Sequence, residues 1–159
     1  MKIRALAQRD REKLYSMLVE TQVFTPEEIK VAMELIDIVL RNPNQQDYEI
    51  DCMANDEDQA IGYICYGSVP MAQGAFDVYW IVVDPRSQGQ GVGSKLLLSL
   101  EEVIRGRKGR MILIDTSSIP LYEKTQRFYS RHGFQEVARI PDYYHVGNDR
   151  ITFCKRLEV

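Results

Sequence analysis

The chain has 159 residues, 45% of them hydrophobic and 27% charged, a composition that excludes a disordered chain and fits one globular domain with a sizeable core. Its formal net charge of −3 argues against a partner such as nucleic acid or an anionic membrane surface, because both demand a basic face. No apolar run approaches the roughly 20 residues that span a bilayer, and Met1-Lys2-Ile3-Arg4-Ala5-Leu6 lacks a sustained apolar stretch, so a cytoplasmic protein is expected.

Residues 2 to 6 alternate like a short strand, and residues 10 to 22 carry Leu14, Met17 and Leu18 at helical spacing, followed by Val23. A second helix starts clearly. Thr25 is a good N-cap, Pro26 suits the first helical position, Glu28 completes a capping box, and Phe24 and Ile29 are placed as a hydrophobic staple. This helix should run to about Arg41 and stop before Pro43. Residues 48 to 54 and 60 to 69 read as a hairpin around the polar turn Asn55-Asp56-Glu57-Asp58, and the Gln73-Gly74 turn leads into a strand over 76 to 83.

That strand runs into Asp84-Pro85-Arg86-Ser87-Gln88-Gly89-Gln90-Gly91-Val92-Gly93-Ser94, which opens a helix over 92 to 105. Val92, Leu96, Leu100, Val103 and Ile104 share one face of it, and Lys95, Glu101, Glu102 and Arg105 the other. Three glycines at alternate positions let the backbone approach a ligand closely, and the first-turn amides have no acceptor within the helix. The junction is suited to a phosphate. A P-loop is rejected because serine precedes lysine in Gly93-Ser94-Lys95, and a dinucleotide fingerprint because the spacing Gly89-x-Gly91-x-Gly93 follows several earlier elements.

Downstream, residues 111 to 115 form an apolar strand, 120 to 132 a helix ended by Gly133 as its left-handed cap, and 134 to 140 and 150 to 157 two closing strands. Cys52, Cys65 and Cys154 are odd in number, widely spaced and each in a strand-like segment. They read as core packing, and no metal site is expected.

The glycine-rich stretch resembles the acyl-CoA signature Q/R-x-x-G-x-G/A of the GNAT superfamily of N-acetyltransferases, matched by Gln88, Gly91 and Gly93. The strand before it, Trp80-Ile81-Val82-Val83-Asp84-Pro85, is similar to the family's apolar-V-x-P sequence, and Phe128-Tyr129-Ser130-Arg131-His132-Gly133-Phe134 to its F/L-Y-x-x-x-G-F segment. The resemblance implies a single α/β (α+β) domain over 1 to 159 in the order βααβββαβαββ, with a central twisted mixed sheet splayed in its middle and helices on both faces. It implies acetyl-CoA as co-substrate, held by Gln88, Gly89, Gln90, Gly91, Val92, Gly93 and Ser94, with its pantetheine arm between strands 76 to 83 and 111 to 115.

Moving an acetyl group from a thioester to an amine requires a neutral nucleophile, a polarised carbonyl and a proton for the departing thiolate. An alkylammonium has a pKa of about 10.4, so a base must remove its proton near neutral pH. Charge develops on the carbonyl oxygen, and the backbone amides of Ile81, Val82 and Val83 are placed to stabilise it. Tyr122, Thr125 and Tyr129 share one helix face. By resemblance Tyr129 is the general acid, whereas Tyr122 stands where many members carry asparagine. Asp77 matches an acidic position that members use as a base; it also reads as the end of the turn after Gly74. Asp115 and Tyr79 are fallback candidates.

His132, in the last turn of its helix, reads as structural. His145 sits in the polar aromatic loop Pro141 to Asp149, which either borders an acceptor pocket or forms a solvated turn. The basic residues Arg105, Arg107, Lys108 and Arg110 read as a solvated helix end, with one of them available to the cofactor phosphates. The expected partner is an amine acceptor, with a homodimer left open. The rival reading is a catalytically silent acyl-CoA-binding sensor, which needs the cradle but neither Tyr129 nor Asp77.

Overall fold

A computed structural model describes residues 1–158. The elements run β1 (Lys2–Ala5), α1 (Arg11–Glu20), α2 (Pro26–Arg41), β2 (Glu49–Ala54), β3 (Ala60–Ser68), β4 (Ala75–Val83), α3 (Val92–Gly106), β5 (Met111–Ser117), α4 (Glu123–Arg131), β6 (Gln135–His145) and β7 (Asn148–Arg156). Single 3-10 turns at Gln8–Asp10 and Pro120–Tyr122 precede α1 and α4, which therefore start later than the periodicity alone suggests. Among the described residues, seven strands form a mixed sheet ordered β1-β2-β3-β4-β5-β7-β6. Two compact units make up the chain, one of Met1–Gly67 with Tyr79–Glu102, the other of Ser68–Val78 with the chain from Val103 onward.

In the first unit, β1 pairs antiparallel with β2, and β2 with β3 from Glu49↔Tyr66 to Ala54↔Ala60. The Thr25 hydroxyl accepts the Glu28 amide at 3.2 Å, so α2 starts at the cap its sequence provides. Consecutive residues of β3 serve opposite faces of the sheet, because side chains alternate along a strand. Tyr63 is fully enclosed in a cluster with Leu14, Met17 and Leu18 of α1 and Met33 and Ile36 of α2. Gly62 faces α3: a Cβ there would stand 2.7 Å from Val92 Cγ1 and 3.2 Å from the Val82 carbonyl oxygen. Only glycine lets the first turn of α3 lie this close to the sheet. Burying an aliphatic side chain such as Leu14 or Ile36 stabilises this unit by roughly 1.5–3 kcal/mol each.

In the second unit, β4 pairs parallel with β5 from Ala75↔Met111 to Val78↔Ile114, and β5 antiparallel with β7 from Met111↔Arg156 to Ser117↔Arg150. This register sorts the side chains. Phe76, Val78, Ile112, Ile114, Ile151 and Phe153 are buried, whereas Asp77, Leu113, Asp115, Thr152 and Arg150 alternate with them and are partly or wholly exposed. Cys154 shares that open face and is only half-buried, unlike the buried Cys52 and Cys65.

The stretch from Pro141 to Asp149, expected as a loop, is mostly strand. β6 continues to His145, and between the pairs Ile140↔Arg150 and His145↔Asn148 four of its residues stand opposite Asp149 alone. Asp149 holds this bulge by accepting the Asp142 amide at 3.0 Å and Arg139 Nη1 at 3.1 Å. These cross-strand bonds are invisible to local turn chemistry.

Candidate active site

In the first unit, β4 ends at Val83 and hands the chain to a buried Asp84 whose amide donates to the Ile61 carbonyl at 2.9 Å. Its carboxylate accepts Lys13 Nζ at 2.6 Å, the Arg86 amide at 3.0 Å and Arg86 Nε at 3.1 Å. Burial alone would raise the pKa of this group, but the hydrogen bonds from Lys13 and Arg86 outweigh it and hold the carboxyl down at about 2. Asp84 thus stays ionised and fixes the entry to the turn.

The turn itself is exposed from Gln88 to Gly91. Gly89 and Gly91 have φ of +79° and +77°, and a Cβ at either would meet nothing within 4 Å. Glycine is required there by backbone conformation rather than by space. The first helical bond runs from the Lys95 amide to the Gly91 carbonyl at 3.0 Å, so the Val92 and Gly93 amides precede the ladder and carry the positive end of the α3 dipole. Val82 and Val92 are buried, 3% and 2% exposed, and anchor the two ends of the turn in the core. An exposed glycine turn feeding a helix N-terminus fits the pyrophosphate of a nucleotide cofactor.

In the second unit, the F-Y-x-x-x-G-F segment is a helix-capping device. Gly133 has φ of +84°, its amide donates to the Ser130 carbonyl at 3.1 Å, and the Phe134 amide donates to the Tyr129 carbonyl at 3.1 Å. These are the paired bonds of a Schellman motif, and the Phe134 ring completes it by packing 6.1 Å from the Tyr129 ring. Phe153 lies 5.7 Å from Tyr129 on another side. Tyr129 is 4% exposed, and burial first, with Tyr122 adding to it, pushes its phenol pKa upward. The group is held protonated at neutral pH.

Asp77 sits inside β4 rather than in the preceding turn, which closes at Gly74. It is half-buried, and burial followed by the charge of Asp115 raises its pKa. The two carboxylates share the open face one strand repeat apart, since Asp77 is level with Leu113 and Asp115 is two residues farther along β5. The Thr152 hydroxyl donates to Asp115 at 2.6 Å, and Arg150 Nε lies 3.8 Å away. The sequence carried no local signal for Arg150, whose place depends on the β5–β7 register.

The remaining candidates make local contacts. His132 Nδ1 meets the Phe128 carbonyl at 2.8 Å, closing the end of α4, and His145 Nδ1 meets the Val146 carbonyl at 3.0 Å while its Nε2 lies 3.4 Å from Asn148 Nδ2. Arg110 Nε donates to the Gln73 carbonyl at 2.8 Å and so ties the β3–β4 turn. A cavity of about 750 Å³ is lined by α4 and β6 residues including Arg127, Arg131 and Arg139, and neither Asp77 nor Tyr129 borders it. Among the described residues, no group of three His, Cys, Asp or Glu is arranged to hold a metal ion, and no helix is long and apolar enough to cross a membrane.

The acetyltransferase (GNAT) domain family matches residues 49–136. A GNAT-family protein from Desulfovibrio desulfuricans is 35% identical and superposes with a TM-score of 0.92, covering 98% of both chains. The ribosomal-protein-S18-alanine N-acetyltransferase of Escherichia coli shares the fold at 18% identity and a TM-score of 0.76, covering 99% of this chain and 94% of that one. An aminoglycoside 6'-N-acetyltransferase complexed with coenzyme A does so at 18% identity and a TM-score of 0.76, covering 100% of this chain and 98% of that one. None of the curated proteins matches the chain by sequence. With its glycine cradle and capped tyrosine helix inside a family match that spans more than half of its length, this chain belongs to the GNAT family of acetyltransferases.

Proposed function

We propose that the protein transfers the acetyl group of acetyl-CoA directly to a primary amine in a ternary complex. In this reading the turn Gln88, Gly89, Gln90 and Gly91 and the first amides of α3, those of Val92, Gly93 and Ser94, receive the cofactor's phosphates. The backbone of Ile81, Val82 and Val83 stabilises the carbonyl oxygen as charge develops on it. Asp77 takes a proton from the ammonium, and the freed nitrogen forms the C–N bond as the C–S bond breaks. Tyr129 gives its phenol proton to the departing thiolate. The second proton lost from nitrogen restores Tyr129, and Asp77 releases its own to solvent, so the sum is an amide, a thiol and one proton. The three free thiols suit a reducing compartment such as the cytoplasm.

Tyr129 carries the reading. Its phenol keeps its proton at neutral pH because burial raises its pKa, and the Schellman cap anchors its backbone at the end of α4, both of which suit a proton donor. Initial rates measured over a grid of acetyl-CoA and amine concentrations test it. Intersecting double-reciprocal lines with an acetylated amine by mass spectrometry are expected. Parallel lines, which signal an acetyl-enzyme, or the absence of acetylated product across an amine panel, overturn it.

A further inference from the structure

We propose that Arg150 binds the carboxylate of the acceptor, so that the substrate is a zwitterionic amine of the amino-acid class; the inference rests on the acetyl-transfer reading above. Its basis is an ion pair left open. Elsewhere in this chain arginine and aspartate close on each other with two short bonds: Arg11 on Asp37 at 2.6 and 2.9 Å, Arg4 on Asp10 at 2.7 and 2.9 Å. Arg150 and Asp115 stop at 3.8 Å, beyond hydrogen-bond distance. Arg150 Nε is enclosed yet has no hydrogen-bond partner among the described residues, while the Thr152 hydroxyl occupies Asp115 at 2.6 Å. A buried guanidinium nitrogen without an acceptor is costly, and a carboxylate is the acceptor its planar fork fits best.

The guanidinium is nevertheless held in place. Its central carbon lies 4.7 Å from the centre of the Tyr143 ring, and Tyr144 braces that ring edge-on at 5.0 Å. The four-residue bulge in β6 carries both tyrosines to this face. Tyr143 thus holds the plane of a guanidinium whose Nε has no acceptor among the described residues and whose side chain is still 31% exposed, an arrangement suited to a recognition residue.

Spacing sets the size of the acceptor. Asp77, the proposed base, is one strand repeat of about 7 Å from the level of Asp115, and the Arg150 guanidinium reaches back to Asp115. A hydrogen bond of about 2.8 Å at each end, added to about 3 Å between the nitrogen and carboxylate of an α-amino acid, spans about 8–9 Å, which matches the diagonal from Asp77 to Asp115 once the roughly 4.8 Å between neighbouring strands is combined with the strand repeat. The exposed Tyr143 and Tyr144 offer an apolar wall for a side chain.

Rates of acetylation of free amino acids and of their carboxamides, compared pairwise with the wild-type protein, test the assignment. The expected result is a kcat/KM ratio of acid to amide of about 10 to 100, carried mainly by KM, which falls to about one in Arg150→Gln and is partly kept in Arg150→Lys. Amides used as well as acids by the wild type overturn the proposal while leaving amine acetylation intact, and this comparison needs no variant. A ratio unchanged in folded Arg150→Gln also overturns it. Failure to acetylate either series, or any other amine, takes down the acetyl-transfer reading and this proposal together.

Discussion

The carbonyl of Tyr129 accepts the amide of Phe134 at 3.1 Å, and the two rings pack 6.1 Å apart, so the residue proposed as proton donor is also the anchor of its own helix end. The left-handed residue between them makes this possible. Gly133→Ala puts a Cβ at φ +84°, where its nearest neighbour would be Lys155 Cε at an ordinary 3.4 Å, so the cost is conformational and about 1 kcal/mol. For a chain of this size that lowers Tm by about 2–4 °C, and Gly133→Asn by less. Equal Tm for Ala, Asn and Gly by calorimetry would remove the cap from the account.

Asp84 makes acid stability specific. Its carboxyl is depressed to about 2 in the folded protein against about 3.9 when unfolded. The unfolded state therefore binds the proton more readily, so the stabilisation is complete above about pH 4 and disappears as pH falls toward 2. Chemical denaturation between pH 5 and 2 should show a decline in stability that Asp84→Asn flattens, at the expense of lower stability at neutral pH. Parallel pH curves for the two proteins would contradict this.

The paired carboxylates of the second unit predict an activity profile. Asp77 must be ionised to act, and burial and the charge of Asp115 both oppose ionisation. The acid limb of kcat against pH should therefore lie above the range of an ordinary carboxylate. Removing the charge in Asp115→Asn makes Asp77 more acidic and moves that limb to lower pH. A limb that stays in place shows that another group is the base.

Tyr63 offers a stability gain. Its hydroxyl is enclosed in the α1–α2 core without a hydrogen-bond partner among the described residues, and burial pushes its pKa well above the usual 10. An unpaired buried hydroxyl costs about 1–3 kcal/mol, so Tyr63→Phe should be neutral or up to about 1 kcal/mol stabilising in urea titrations. A loss of more than about 1 kcal/mol would mean that the hydroxyl has a partner in solution.

What could be read from the sequence was local. The Thr25 cap, the glycine turn and the Gly133 cap each lie within a few consecutive residues, and each folds as its spacing requires. Asp84 was legible as part of the motif but not as the partner of Lys13, 71 residues away. The bulge in β6 depends on the Asp149 carboxylate across the hairpin, so Pro141 and Asp142 read as a loop. Asp115 and Arg150 meet only through the β5–β7 register, which places them on the same face as Asp77. Half-buried positions give no periodicity strong enough to fix a register from one chain.

The most direct test of the central claim is Tyr129→Phe, measured twice: turnover of an amine, and acetyl-CoA binding by calorimetry. Removing only the phenolic oxygen should lower kcat by about 100-fold or more while the Kd for acetyl-CoA stays within about twofold. Full turnover in the variant would show that Tyr129 does not protonate the leaving thiolate, and loss of binding in step with turnover would show that it holds the cofactor instead.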